Sequence, residues 1–290
     1  MFYALQTEKS SPHINDLLRC FQLHPYQQGE AMEFFYVLLD SLETSLKKSP
    51  LKNLIRDHYT WTFENYLECT YCKGSTSRQE NVYAFSLDIE GTSSIEAAFL
   101  HYFEPEVLDG DNCFFCQHCC GRRKTFKGVR VVQLPYIATI GIKRFVFNLE
   151  DMKTEKLYHK VVFHEIIDMN QFISTGKIYS DDDTEEFSDT PAAMERREQQ
   201  KRRFLLNGPY VYELYCIVAH QGRVDAGNYS AFIKCLRTKR WLQFDTMVSL
   251  ATPQLILSTL GGTNQDPSAV CLYYRQLGES PQHNKIPISI

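Results

Sequence analysis

The chain has 290 residues, 43% of them hydrophobic and 23% charged, with a formal net charge of −4. That length supports one large or two small globular domains, and the composition excludes wholesale disorder. A mildly acidic chain is not built around phosphate neutralisation, which argues against a nucleic-acid partner. No uninterrupted apolar run reaches the ~18 residues of a membrane helix, and MFYALQTEKSS lacks the basic-then-apolar order of a signal peptide. The expectation is a cytoplasmic and/or nuclear protein without a membrane partner.

Residues 13–48 read as helical. Ile14, Leu17, Leu18 and Phe21 share one face, a turn follows at His24-Pro25, and Met32, Phe35, Leu38, Leu39, Leu42 and Leu46 form a second apolar stripe. Lys47 and Lys48 suit the last turn of that helix, and Pro50 stops it. From about residue 57 the pattern changes to strands: HYTWTFENYLECTYC and VYAFSLDIE alternate and are rich in aromatics. SSIEAAFLHYF reads as a short helix, with Ser93 and Glu96 spaced as a capping box. FKGVRVVQLPYIATIGIKRFVF is strongly β, broken at Leu134-Pro135, and YVYELYCIVAHQG, YSAFIKCL and RWLQF are further strands. Residues 174–208 depart from this, with an acidic run at 181–186 and a basic, helix-prone run at 196–203. They read as a flexible, solvated insertion, or in a sharper reading as a regulated partner or phosphorylation site at Ser180 or Ser188.

Ten cysteines are the strongest chemical signal. In an intracellular protein, Cys-x-x-Cys spacing points to metal rather than disulfides. Cys69 with Cys72 and Cys116 with Cys119 would give a tetrahedral Zn2+ its four soft ligands, and the 43 residues between the pairs fit two hairpins brought together by the fold. Cys113 leaves an alternative, because Cys113 and Cys116 share the same spacing, and the pairs could instead be simple thiols. Cys20, Cys216, Cys235 and Cys271 lie in apolar stretches and read as core residues.

The order of segments resembles the ubiquitin-specific protease family, and specifically its large cytoplasmic subgroup. QGEAMEFFYVLLDSLE is similar to the family's QQDAQEF helix, and LECTYC and LDGDNCFFCQHC to its two finger cysteine pairs. VRVVQLPYIATIGIKRFVFN resembles its LKRF strand pair, YELYCIVAHQGRVDAGNYSAFIKC its histidine box, and RWLQFDTMVSL and AVCLYYR its closing strands. The resemblance runs in order from about residue 1 to 275. It implies an α+β, papain-like cysteine protease fold with fingers, palm and thumb, zinc-ribbon fingers, and hydrolytic removal of ubiquitin from conjugates. The implied division is 1–55 residual helical thumb, 56–130 mainly fingers and 131–277 mainly palm, with 278–290 a tail.

The site departs from the family in two places. Its nucleophile box, GNTCYxNS, is not found in the chain, so the thumb reads as N-terminally truncated. Cys20 and His24 form no convincing substitute, with no orienting group or oxyanion donor beside them. Asn228 stands where the family has its histidine base, and a carboxamide has no nitrogen to take a thiol proton near neutral pH. Asp245 matches the acid that orients that histidine, Thr246 replaces the second acidic position, and His220 matches a family histidine that is not the base. Glu30 and Glu33 match the acids that hold ubiquitin's basic tail, and Gly227 and Tyr229 match the walls of its glycine channel; Glu30 and Glu33 could equally form a solvated helix face. The expectation is a pseudoenzyme that binds ubiquitin or a ubiquitinated protein. The alternatives are an active deubiquitinase whose nucleophile lies in sequence not given, and a zinc-stabilised scaffold that binds no ubiquitin.

Overall fold

A computed structural model describes residues 15–21, 29–180 and 187–278. Ile14, the His24-Pro25 turn, the acidic run 181–186 and the tail from 279 lie outside these. The chain divides into two compact units, Met1–Ile55 and Arg56–Ile290. In the first, α1 (Asn15–Cys20) and α2 (Ala31–Leu46) are the helices read from their apolar spacing. Helix α2 buries Met32, Phe35 and Leu39, and Phe21 meets Phe34 edge-on at 5.6 Å. Helix α3 (Leu54–Tyr59) runs across the boundary between the units.

In the second unit β1 (Trp61–Cys69) and β2 (Ser75–Val82) form a hairpin, followed by β3 (Phe85–Asp88) and α4 (Ile95–Phe103). Then come β4 (Glu106–Leu108), the short pair β5 (Phe114–Cys116) and β6 (Gly121–Arg123), and β7 (Thr125–Gln133). These build a four-stranded sheet in the order β2-β1-β7-β4. Its long strands pack closely because Gly128 on β7 lies under Tyr66 of β1, where a Cβ would come within 2.7 Å of the phenol ring.

The remaining strands are β8 (Ile137–Lys143), β9 (Phe145–Asn148), β10 (Lys153–Lys156) and β11 (Ile166–Asp168). After α5 (Phe172–Thr175) and α6 (Pro191–Leu205) come β12 (Val211–Arg223), β13 (Ala226–Lys234), β14 (Trp241–Phe244) and β15 (Val248–Leu250). The chain closes with α7 (Pro253–Ser258) and β16 (Ser268–Gln276). An eight-stranded sheet has the order β15-β14-β13-β12-β16-β8-β3, with β11 added against β12. Pairing is antiparallel except between β3 and β8. One apolar core joins the elements, with Trp61, Leu87, Phe99, Phe163, Tyr212, Phe232, Trp241 and Tyr274 at 2% exposure or less.

Two polar features run through this core. Arg144, which follows β8, is fully buried and has carbonyl partners on three sides. Its Nε donates to Ala269 O at 2.8 Å, Nη1 to Leu157 O and His159 O at 2.9 Å each, and Nη2 to Leu260 O at 3.1 Å. Burial lowers its pKa to about 10, which still leaves the guanidinium charged near neutrality. The second feature docks α6. Glu165, fully buried, accepts from Arg197 of α6 and from Lys234 at the end of β13. Glu213 of β12 accepts from Lys234 at 2.8 Å and from Lys201 of α6 at 3.0 Å.

These contacts correct the expectation of a flexible insertion for residues 187–208. Thr190 caps α6, accepting from Ala193 N at 3.3 Å with Pro191 in the first turn, and Phe187, Ala193 and Phe204 are buried. The cations that look solvated in sequence have buried carboxylates to answer. The capping-box expectation also needs correction. Ser94, not Ser93, caps α4, accepting from Ala97 N at 3.1 Å, because the Ser93 carbonyl is taken by Val162 N–H at 2.8 Å. Glu96 turns instead to His164 Nδ1 at 2.8 Å.

Replacing Arg144 by Met should cost on the order of 3 kcal/mol or more, because it strands several buried carbonyls without a donor; urea unfolding measures it. Glu213 gives a pH prediction. Burial opposes its ionisation, but Lys234 and Lys201 bring the carboxyl from the ordinary 4.5 down to about 2. A carboxyl depressed in the folded state contributes stability that is fully present above its unfolded value and is lost as pH falls through the folded one. Melting temperatures should therefore fall through this acid window, and Glu213→Gln should flatten that part of the profile while lowering stability at neutral pH.

Candidate functional site

Three places carry the side chains singled out by the sequence. The first is where β1 and β2 meet the β5–β6 hairpin. Cys69, Cys72, Cys116 and Cys119 have their sulfurs within 4.8 Å of one another, with Cys69 and Cys119 at 3.9 Å and Cys72 and Cys116 at 3.6 Å. A tetrahedral ion with Zn–S bonds of ~2.3 Å has S···S edges of about 3.8 Å, so the cluster has the size that such an ion requires. The thiols do not titrate alike. The Cys72 N–H brings Cys69 down to about 7, against its burial, whereas hydrogen bonding with Cys72, reinforced by burial, pushes Cys119 up to about 12. Four sulfurs this close could hold a metal ion.

The two turns are built alike. Each reads C-x-x-C-x-G, as CTYCKG and CQHCCG. The residue after the second cysteine is left-handed in both, Lys73 at φ 58° and Cys120 at φ 51°. Gly74 then returns its N–H to Cys72 Sγ at 3.4 Å and its carbonyl to Cys69 N–H at 3.0 Å, while Gly121 pairs with Cys116. This repeat settles the ambiguity over Cys113. Cys113-x-x-Cys116 is followed by Gln117-His118 and lacks the glycine, and Cys113 and Cys120 stand outside the cluster. The six-residue pattern was present in the sequence, and spacing alone had overlooked it.

The second place is the β12–β13 hairpin. Its register sets Gly222 opposite Gly227, Gln221 opposite Asn228 and His220 opposite Tyr229. Asn228 is exposed. Asp245 follows β14, one residue beyond the Ala231–Phe244 pair, and is also exposed. Its Oδ1 accepts from Thr246 N–H at 2.8 Å. Among the described residues no hydrogen bond or ion pair joins Asp245 to Asn228.

His220 is occupied elsewhere. Lys156 of β10 donates to its Nδ1 at 3.0 Å, to its carbonyl at 2.8 Å and to Gly222 O at 3.3 Å. Burial and the Lys156 charge lower the His220 pKa to about 4, so its imidazole is neutral, and burial lowers Lys156 to about 8. Phe145 and Tyr229 flank the imidazole edge-on at 5.1 and 5.0 Å. Gly227 packs against the same ring; a Cβ there would overlap the imidazole and lie 2.7 Å from Gln221 O. Gly227 is therefore required by a contact inside the protein. Lys156 carried no signal in the sequence, since a lone lysine in an alternating polar strand looks solvated.

The second unit offers no thiol suited to nucleophilic attack near Asn228 among its described residues. Burial pushes Cys216 and Cys271 up to about 12. Cys235 lies seven residues from Asn228, roughly 23 Å along an extended strand. The core assignment holds for Cys216 and Cys271 but is corrected for Cys235 and Cys20. Cys235 is half-buried at the start of a turn, where hydrogen bonds from the Thr238 side chain and then its N–H bring it down to about 7, and Cys20 is exposed.

The third place is the start of α2. Glu30 is its N-cap residue, in extended conformation and without a side-chain capping bond, and Glu33 lies in the first turn; both are exposed. Favourable interaction with the helix dipole keeps carboxylates there without any ligand.

A family model described as ubiquitin carboxyl-terminal hydrolase matches residues 1–274, and the chain belongs to that family, in its ubiquitin-specific protease branch. It is similar to ubiquitin carboxyl-terminal hydrolase 47 of Drosophila melanogaster, 28% identical over 96% of this chain and 22% of the relative. The human ubiquitin carboxyl-terminal hydrolase 47 is 28% identical over 91% of this chain and 22% of its own length. Ubiquitin carboxyl-terminal hydrolase 7 of Caenorhabditis briggsae is 27% identical over 94% and 23%. The chain thus spans under a quarter of the length of these relatives. No helix among its described residues is long and apolar enough to cross a membrane.

Elemental analysis should find one divalent ion per chain at the four sulfurs. Stripping it with a chelator, or replacing Cys72 by Ser, should lower the melting temperature; Cys113→Ser should leave both metal content and melting unchanged.

Proposed function

We propose that this chain is a catalytically silent member of its family that works by binding ubiquitin or a ubiquitinated protein. The observation that carries the reading is Asn228, an exposed carboxamide on β13 at the position where the family holds its imidazole base. An amide cannot take a proton from a thiol near neutral pH. Whatever precedes residue 1, a thiol nucleophile brought to this hairpin would meet no base, and members of such a triad act as a unit, so several powers of ten in rate are lost. Asp245 keeps its carboxylate with no imidazole to orient, and His220, neutral and held by Lys156, is not free to substitute.

The binding surfaces are a separate matter. Glu30 and Glu33 present exposed carboxylates suited to charge-assisted hydrogen bonds with the basic tail of ubiquitin. Gly227 and Tyr229 lie on the same edge of the hairpin as Asn228 and would border the channel for the tail's glycines. Residues 56–130 serve mainly as fingers and 131–277 mainly as palm. Cys69, Cys72, Cys116 and Cys119 hold a structural Zn2+, which when bound cross-links the two finger hairpins and performs no chemistry. The site of action is the cytoplasm, the nucleus or both.

A second reading is favoured by the retained Asp245: an active deubiquitinase whose nucleophile lies in further sequence and whose base is replaced. Ubiquitin carrying a thiol-reactive C-terminal electrophile separates the readings. The expected result with this chain is no covalent adduct, together with saturable noncovalent binding of unmodified ubiquitin. Glu30→Lys combined with Glu33→Lys should weaken that binding about tenfold, or ~1.4 kcal/mol. An adduct, or turnover of a diubiquitin reporter, overturns the silent assignment. Absence of saturable ubiquitin binding leaves a zinc-stabilised scaffold.

A further inference from the structure

The basic run of 174–208, which the ubiquitin reading leaves unused, forms one wall of a cavity of 780 Å³. Helix α6 supplies that wall, the turn following β13 contributes Thr238, Lys239 and Arg240, and Glu213 of β12, Lys234 of β13, Arg275 of β16 and Leu277 just beyond it complete the lining. Seven of its lining side chains are cationic and three are carboxylates, in a chain whose net charge is −4.

The charges sort into two groups. At the base, Arg197, Lys201 and Lys234 are consumed by Glu165 and Glu213, and Lys201 also meets Glu198 at 2.8 Å. Nearer solvent, Arg202 on the helix and Lys239 and Arg240 on the turn are exposed and make no side-chain hydrogen bond or ion pair among the described residues. Arg275 approaches Glu213 only to 3.8 Å. The turn that carries Lys239 and Arg240 is fixed by Cys235 N–H to Arg240 O at 2.9 Å and Lys239 N–H to Cys235 O at 2.8 Å, with Lys239 left-handed at φ 59°. Cations without side-chain partners thus line a cavity whose base is already neutralised, together with the carboxylates of Asp189 and Glu198.

The geometry points to a binding site for a compact polyphosphate anion, gripped between Arg202 on α6 and Lys239 and Arg240 on the turn. Guanidinium forks match phosphate oxygens, two at a time. The volume lies in the ~300–1,000 Å³ range of small-ligand sites. Single-stranded nucleic acid, the rival occupant, binds on aromatic stacking platforms along an extended basic track, and no aromatic side chain lines this cavity. The assignment concerns a different surface from the ubiquitin reading and does not depend on it.

Calorimetric titration of the full chain with inorganic tripolyphosphate, in the absence of ubiquitin, tests it. The expected result is saturable binding that weakens as salt is raised. Arg202→Glu with Arg240→Glu should weaken it at least about tenfold, whereas Lys127→Glu on the four-stranded sheet should leave it unchanged. The milder pair Arg202→Gln with Arg240→Gln should shift affinity in the same direction, which guards against a misfolded double reversal. Failure to saturate, equal loss in the Lys127→Glu control, or displacement of tripolyphosphate by a short single-stranded RNA at lower concentration would each overturn the assignment.

Discussion

The segments beside β8 and β16 are tied together by a single buried guanidinium. Arg144 gathers carbonyls from the 157–159 segment, the end of the α7 region and β16. They come from three separate stretches of chain, and Leu260 O also accepts from Val161 N–H at 2.9 Å. A buried carbonyl without a donor costs about 1–3 kcal/mol, so several of them would oppose the packing of those segments. A planar cation with donors on three sides answers them all, and neutralisation by a carboxylate is replaced by the summed dipoles of the carbonyls. The strand order β12-β16-β8 and the segments covering its ends all meet at this point.

The cysteine cluster, the carboxylate network and the β12–β13 hairpin differ in how tightly their residues are held. The cysteine ribbon keeps a complete donor set, and the network of Glu165 and Glu213 keeps its cations. At the open end of the β12–β13 hairpin, Asn228 is exposed, while its neighbours are closely fitted: Gly227 against His220, and His220 against Lys156. A change at an exposed position such as Asn228 disturbs no packing. The shape of a hairpin end is therefore set by different residues from those it exposes to solvent.

Much of this was legible in the sequence. Alternation gave the strands because each has one face on the common core, and the break at Leu134-Pro135 falls between β7 and β8 because proline cannot donate to a ladder. The cysteine pairs were visible from spacing, and their exact membership was written in the glycine two residues after each pair. What stayed hidden depended on partners distant in sequence. Arg197 and Lys201 look solvated until Glu165 and Glu213 are placed beneath them, although Thr190-Pro191 already marked the start of their helix. Lys156 owes its lowered pKa to burial and the nearby Arg144 charge, and Cys235 to a turn, none of which a local pattern announces. The Ser93 reading failed because the Ser93 carbonyl accepts from Val162 N–H, which leaves Ser94 to open the helix.

Strand β13 carries Asn228 near one end and Lys234 at the other, so the exposed end of the hairpin and the basic cavity share one length of backbone. A strand that slipped by one residue would turn every side chain to the opposite face. Here Gly227 is wedged under an imidazole, and Lys234 is bonded to two buried carboxylates. The strand is thus pinned at both extremities and behaves as a fixed beam. Occupancy at one extremity cannot be signalled to the other by translation along it, which makes the two surfaces thermodynamically independent unless the flanking strands themselves bend.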